Sequence, residues 1–234
     1  MDFIEKNLFG VRAANLIFSS NKSKVEIHIF PMVHVGSSNY YNQISSKLRN
    51  HDFIIFEGVK SRRGWFLSAS YRYLTKNKKL GLVEQRKALN LKEFKDKLIH
   101  GDVDEKSFNH AWKTIPLYFR TIILLFSPLY GLYLMVTATR ESLSEDLVIT
   151  DLKSSDEIIN WSEKYERFDN IILRDRDKRL IDVLSKTIEC EKENNVKVAI
   201  VYGALHMRAI TRYIMDHYNY QVKDSEWITV FDFY

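Results

Sequence analysis

The sequence predicts an α/β fold in which a mixed central sheet is built from both ends of the chain and flanked by helices. Short apolar runs of strand character lie near both termini, and the stretch 60–165 has helical spacing. In addition, 45% of the 234 residues are hydrophobic, which is enough to bury a full core. We therefore expect a single domain, 1–234, in which 60–165 is a central all-helical insertion.

The first strands and helix of this fold are predicted by apolar patterning. Residues 11–19 and 25–30 are β-prone, and in 25–30 apolar and polar side chains alternate as in a half-buried strand. A helix is expected to begin near 37–39, where Ser or Asn can cap it, and to end at Asn50. A fully apolar strand follows at 53–56.

The C-terminal elements complete the predicted sheet. Residues 169–194 have the spacing of one long amphipathic helix, and 196–202 is an apolar strand. A helix is expected after Gly203, with terminal strands near Tyr220 and at 227–231. The alternation of strand and helix at both chain ends is typical of an α/β domain.

The amino-acid composition limits which disulfides, metal sites and partners we expect. The chain has one cysteine, Cys190, so it has no internal disulfide and no zinc site built from several thiolates. Any metal ion would be held by His and carboxylates. The net charge of +5 is a small excess of 35 basic over 30 acidic residues, which does not by itself imply a nucleic acid partner. We expect none, although the basic and aromatic stretch 60–79 leaves single-stranded nucleic acid as an alternative.

Three predicted strands are followed by a residue capable of catalysis. His34, Glu57 and His206 each lie just beyond the carboxyl end of an apolar strand. Ligands of open α/β sheets bind in the crevice beyond those ends. If the three strands are neighbours, two imidazoles and a carboxylate converge there. Such a set binds Zn, Mn or Co, or acts as acid and base without a metal.

Two charged residues lie on or beside the apolar stripe of the predicted helix 169–194. Asp177 falls within the stripe that contains Leu180 and Leu184, and Arg176 lies at its edge. A charge facing the core is costly unless it is paired, so we expect both to meet partners in the interior or in a cleft. An ion pair with a helix neighbour such as Arg174 is the alternative.

These positions resemble motifs of the TraB, GumN and Tiki superfamily, which is more distantly related to the ChaN and erythromycin esterase proteins. Residues 31–36 (Pro-Met-Val-His-Val-Gly) are similar to a strand ending in G-x-x-H, and Glu57 is similar to the family's strand-end Glu. Residues 175–177 (Asp-Arg-Asp) resemble an E-R-D segment that opens a long helix. Residues 203–206 (Gly-Ala-Leu-His) resemble the second G-x-x-H.

The resemblance implies a metal-dependent hydrolase. Tiki proteins are regarded as metalloproteases, and bacterial TraB-like members are linked to peptide pheromone shutdown, which implies a peptide substrate. Carried over, His34, Glu57 and His206 are metal ligands or catalytic residues for a divalent ion (Mn, Co or Zn). Arg176 and Asp177 support them, and Arg176 is a candidate for stabilising an oxyanion.

Two other functions remain open. Pro31 stands where the family has Gly, and proline fixes φ and removes a backbone donor. This departure, together with Asp175 in place of Glu, leaves room for a catalytically silent module that binds a peptide or another apolar ligand. The erythromycin esterase relatives imply metal-free hydrolysis instead, with His34 or His206 as general base.

The helical middle contains a possible membrane segment. Residues 121–139 carry no charge and are long enough to cross a bilayer. Pro128 and Gly131 are predicted to split this run into two short helices of about eight residues, a kinked pair that cannot span.

Upstream of this run, 60–79 holds seven basic and no acidic residues, interleaved with aromatics such as Trp65 and Phe66. This composition suits peripheral contact with an anionic membrane. The alternative is a soluble helical lid that packs on the sheet or across a homodimer. No signal peptide is predicted, because Asp2 and Glu5 stand where a basic region is needed. We therefore expect a cytoplasmic protein.

Overall fold

The structure, a computed structural model, describes residues 1–59, 68–145, 147–150 and 173–234. Within these ranges the chain is mixed α/β, as predicted. The strands are β1 (Asp2–Lys6), β2 (Gly10–Ser20), β3 (Ser23–Met32), β4 (Val35–Gly36), β5 (Phe53–Phe56), β6 (Val83–Glu84), β7 (Leu98–His100), β8 (Ile149–Thr150), β9 (Lys197–Gly203) and β10 (Gln221–Asp232).

Helices separate and flank these strands. They are α1 (Ser38–Leu48), α2 (Ala69–Leu74), α3 (Gln85–Ala88), α4 (Glu105–Thr114), α5 (Leu117–Thr137), α6 (Arg140–Glu145), α7 (Asp175–Glu191) and α8 (Met207–Tyr218), with 3₁₀ segments Lys78–Leu80, Leu91–Lys97 and Ala204–His206. Both α7 and α8 pack against β3, and α1 packs against β10.

Within the described ranges the main sheet contains eight strands, six from the two ends of the chain and two, β7 and β8, from its middle. Its order is β7-β5-β9-β3-β2-β1-β8, and β10 pairs with β2. Strands β3, β9, β5 and β7 run parallel to one another, whereas β2 pairs antiparallel with β3, β1 and β10, and β1 pairs antiparallel with β8. The C-terminal strand β9 thus lies between β3 and β5. As a result, the carboxyl ends of four parallel strands meet at one edge of the sheet.

Several predicted boundaries are confirmed and others are corrected. Ser37 caps α1 by accepting a hydrogen bond from Tyr40 N at 3.1 Å, and α1 ends at Leu48, before Asn50. Strand β5 has the predicted bounds, and the two expected terminal strands are one strand, β10. Helix α7 begins at Asp175, and residues 169–172 lie outside the described ranges.

Strand β3 is more deeply buried than its alternating pattern predicts. His28 and Phe30 belong to the expected polar-facing side, yet both are buried, as is the apolar face that includes Ile27. The reason is that other elements cover this face: the ring of His51 lies 4.5 Å from that of His28 and 5.7 Å from that of Phe30, and helices α7 and α8 also pack against β3.

The central region is mainly helical but not purely so. Its described part, 68–145 and 147–150, contains α2 to α6 together with the short strands β6, β7 and β8. Strand β7 extends the parallel part of the sheet beside β5, and β8 pairs with β1. The all-helical expectation is corrected on this point, because strands of two or three residues leave no readable periodicity in a sequence.

The predicted kinked pair of helices is wrong. Residues 117–137 form one continuous helix, α5, with Pro128 inside it. A proline inside a helix removes one backbone donor, and the packing of α5 against α2 accompanies its continuity through Pro128. Gly131 serves packing, since a Cβ at this position would lie 2.7 Å from the Cα of Ser70 on α2. Trp65 and Phe66 lie outside the described residues.

Candidate active site at the strand ends

Four polar side chains follow the parallel strands at their common edge. His34 lies in the turn between β3 and β4, Glu57 directly follows β5, and His206 closes the 3₁₀ segment after β9. Asp102 follows β7, beyond Gly101. The first three positions were predicted from the sequence, and the parallel order of the strands explains why they approach one another.

Arg176, in the first turn of α7, joins two of these strand ends. Its Nε donates to Asp102 Oδ1 at 2.9 Å, and its Nη2 donates to Asp102 Oδ2 at 2.8 Å and to Glu57 Oε1 at 2.5 Å. The residue is only 9% exposed. The prediction that Arg176 meets partners in the interior is confirmed, since Glu57 and Asp102 both follow strands of the sheet.

Asp102 holds the guanidinium in place. Besides Arg176, its carboxylate accepts from the backbone N–H of Gly58 at 3.0 Å and of Val103 at 2.8 Å. Its side chain has no exposed surface. The sequence analysis missed this residue, because the only signal was a three-residue apolar strand followed by Gly101.

Glu57 is a largely buried carboxylate that reaches the cavity, with 13% of its side chain exposed. Its second oxygen, Oε2, accepts from the backbone N–H of Gly203 at 2.6 Å. Burial acts to raise the pKa of Glu57, but Arg176, His34 and His206 outweigh it and lower the pKa to about 2. A carboxylate with so low a pKa is a weak proton acceptor at neutral pH and acts mainly through its charge.

His206 and Asp177 form a hydrogen-bonded pair next to Glu57. His206 Nδ1 lies 2.6 Å from Asp177 Oδ1, and the imidazole is buried edge-on against Tyr202, with ring centroids 4.7 Å apart. Since a carboxylate accepts, Nδ1 carries a proton in this pair. The predicted pairing of Asp177 is thus confirmed, with His206 as its partner.

His34 lies on the wall of a cavity of about 300 Å³. Its side chain is exposed, its Nδ1 lies 3.3 Å from Gln85 Oε1, and its ring centroid lies 4.9 Å from that of Tyr71. With Gln85 Oε1 accepting from Nδ1, His34, like His206, carries a proton on Nδ1. Glu57 and Arg176 line the same cavity, so three predicted residues share it.

His206 approaches this group from beside the cavity. It is not among the described residues that line the cavity, but its ring is close to Glu57. A Cβ on Gly203 would lie 3.0 Å from Glu57 Oε2 and 3.5 Å from His206 Cδ2. The structure therefore places His34, Glu57 and Arg176 around one cavity, with the His206–Asp177 pair adjoining Glu57.

The described side chains do not form a ready metal site. Among them, no three His, Cys, Asp or Glu residues are grouped closely enough to hold an ion. Glu57 is also already paired with the Arg176 cation. The donor types agree with Mn, Co or Zn, but the arrangement does not supply a ligand set. The metal stays a prediction.

Gln85 is a second residue that the sequence analysis missed. It opens α3, directly after β6, and its backbone N–H donates to the carbonyl of His34 at 2.9 Å. Together with the side-chain contact to Nδ1, this bond fixes the turn that carries His34. No sequence signal points to it, because a lone Gln in a polar stretch has no distinctive pattern.

No model of a known protein family matches the chain, and no curated protein or solved structure shows significant similarity to it. The resemblance to the TraB, GumN and Tiki superfamily accordingly stays a prediction. What the fold and the site define is a mixed α/β protein with a charged cavity at the carboxyl edge of its parallel strands.

Proposed function

We propose that this protein is a hydrolase that cleaves peptide or related acyl bonds at the strand-end cavity. The observation that carries the proposal is that His34 and Glu57 line one cavity with Arg176, with a second imidazole beside them. The cavity has a volume of about 300 Å³, at the lower end of the range for ligand pockets, which favours a short or extended substrate segment.

In this proposal His34 is the general base. Its Nε2 accepts a proton from a water molecule, whose oxygen attacks the carbonyl carbon of the substrate. The imidazolium then returns the proton to the leaving group as the tetrahedral intermediate breaks down. Glu57 stabilises the imidazolium by its negative charge, since it is ionised at neutral pH. Gln85 keeps His34 in the required tautomer.

Arg176 and Asp102 act as positioning residues. They hold Glu57 at the cavity wall through direct hydrogen bonds, and Asp102 is itself fixed by two backbone N–H groups. The predicted role of Arg176 in stabilising an oxyanion is less supported, since two of its nitrogens already donate to these carboxylates. Asp177 similarly orients His206.

The metal-dependent form of the reaction, expected from the resemblance, is the second candidate. One observation favours it: Glu57 and Asp102 both bind the Arg176 guanidinium and Asp177 binds His206, so three carboxylates are gathered around these strand ends. A divalent ion would supply a polarised water molecule there. Metal analysis after desalting tests this form: bound Mn, Co or Zn that is lost in His206→Ala supports it, whereas unchanged metal content in the variant contradicts it.

The proposal is tested by turnover of fluorogenic peptide and ester libraries. We expect His34→Gln to lower kcat at least 100-fold, the usual contribution of a general base. The matched control is His110→Gln, since His110 is an exposed residue of α4 outside the cavity, and its kcat should stay within twofold of the parent. Activity that survives chelation supports the metal-free form.

Two results would contradict the proposal, the first its mechanism and the second the hydrolase itself. Equal turnover by His34→Gln and the parent would remove His34 from the mechanism. Saturable peptide binding at the cavity without any turnover would favour the catalytically silent binding module. That alternative draws support from Glu57, both of whose oxygens already accept hydrogen bonds, from Arg176 and Gly203.

A further inference from the structure

Helix α5 is apolar on both of its faces. Its inner face packs on α2, where Gly131 allows close contact with Ser70. The outward face is exposed and carries ten large hydrophobic side chains: Leu117, Tyr118, Ile122, Leu125, Phe126, Leu129, Tyr130, Leu132, Tyr133 and Val136. Helices on the surface of soluble proteins place polar residues outward, so this face requires another explanation.

The length and the hydropathy of α5 are those of a helix that contacts a membrane. The helix has 21 residues, a mean hydropathy of 1.6 over its most apolar window, and only 6% of that window is buried. At 1.5 Å per residue it is about 31 Å long. A contiguous apolar surface of this length in water is unfavourable, and such surfaces usually mark an interaction site.

The charges near α5 complement anionic lipid. The exposed residues Lys76, Lys78 and Lys79 follow α2, and the sequence has no acidic residue from 60 to 83. These lysines lie near the C-terminal end of α5, because Arg140, just beyond that end, donates from Nε to the carbonyl of Leu80 at 2.8 Å. An apolar helix face beside a lysine cluster is typical of proteins that bind anionic membrane surfaces.

We propose that α5 binds the surface of an anionic bilayer, with its outward face among the acyl chains and its inner face on α2. The helix lies in the membrane plane in this arrangement, since crossing the bilayer would draw the packed helix α2 into the hydrocarbon. Tyr71 belongs to α2 and lines the cavity. Membrane binding therefore holds the cavity close to the lipid surface.

The test is flotation of the purified protein with lipid vesicles. The probes are vesicles of phosphatidylcholine alone and of phosphatidylcholine with about 30% phosphatidylserine. We expect the protein to float with both and more strongly with the anionic vesicles. High salt should remove the anionic preference and leave the remaining binding, because salt screens charges and does not weaken apolar insertion.

The variants are Leu125→Asp with Leu129→Asp and, as a matched control, Val222→Asp. All three positions expose an apolar side chain, and Val222 lies at the opposite end of β10 from Asp232, which pairs with Arg140. We expect at least a tenfold loss of vesicle binding in the double variant, no loss in the control, and no loss of melting temperature in either.

Four results would overturn the proposal. The first is a parent protein that does not float, and the second is a dimer that the double variant dissociates, which assigns the face to a second copy. The third is a lowered melting temperature of the double variant with unchanged flotation, which means that the chain itself covers the face. The fourth is a nitroxide spin label at position 125 that lies much deeper in the bilayer than one at position 136, both in a Cys190→Ser background, which means that α5 crosses the bilayer. None of these results depends on hydrolytic activity.

Discussion

Replacing Arg176 with Met should destabilise the protein strongly at neutral pH. The guanidinium is buried between two strand-end carboxylates, Glu57 and Asp102, and donates three hydrogen bonds of 2.5 to 2.9 Å to them. Methionine preserves most of the apolar stem and removes the charge. The variant therefore leaves two adjacent carboxylates with no cation between them.

Two arguments give a similar magnitude for the loss of stability in Arg176→Met. The pKa of Glu57 is about 2, against an ordinary value of 4.5, and a difference of this size corresponds to about 3 kcal/mol of stability at neutral pH, to which Arg176 contributes together with His34 and His206. Removing one partner of a buried ion pair costs about 3–5 kcal/mol. We expect Arg176→Met to lower the free energy of unfolding at pH 7 by about 3 kcal/mol.

The effect should also depend on pH in a defined direction. The contribution of Glu57 is fully present above pH 4.5 and is lost as the pH falls toward 2, because its pKa is lower in the folded state. The difference between parent and variant should therefore shrink between pH 5 and pH 3. Urea unfolding followed by circular dichroism measures both quantities.

A surface ion pair provides the matched control. Arg49 lies 3.5 Å from Glu93, and both side chains are well exposed. Arg49→Met should cost less than about 1 kcal/mol. A loss below about 1 kcal/mol for Arg176→Met as well, or a loss that does not change with pH, would refute the argument that Arg176 compensates buried charge.

Other predictions follow from burial and close contacts. Burial lowers the pKa of His51 to about 4, so the free energy of unfolding should decrease as the pH falls from 6.5 to 4. In His51→Gln this free energy, measured by urea unfolding, should change less over the same pH range; the same pH dependence in variant and parent contradicts this. Gly131→Ala should cost about 1–3 kcal/mol in thermal unfolding, because its Cβ would meet the backbone of α2 at 2.7 Å; an unchanged melting temperature contradicts it. Gly203→Ala should displace Glu57 and lower turnover about tenfold, because the added Cβ would lie 3.0 Å from Glu57 Oε2; full activity contradicts it.

Much of the site was predictable because its signals are local. His34, Glu57 and His206 each follow an apolar run that is long enough to be recognised as a strand, and parallel strands bring their carboxyl ends together. Arg176 was recognisable because a charge at the edge of an apolar helical stripe must find a partner. Each of these inferences needed only a few neighbouring residues.

Other features depend on contacts between distant parts of the chain. Asp102 follows a strand of three residues, too short to show a period, and its role comes from Arg176, 74 residues away. The continuity of α5 through Pro128 accompanies its packing against α2. Neither Gln85 nor the position of His206 beside the cavity leaves a pattern that a single sequence reveals.

The pKa of the Glu57 carboxylate tests the central claim most directly, namely that the strand ends form one coupled site. It is measurable by ¹³C NMR on protein labelled at glutamate side chains, with Glu57→Gln for assignment. We predict a pKa of about 2 in the parent and higher values in His34→Gln and His206→Gln, since both imidazoles lower it. An ordinary glutamate pKa that neither substitution changes would contradict the account.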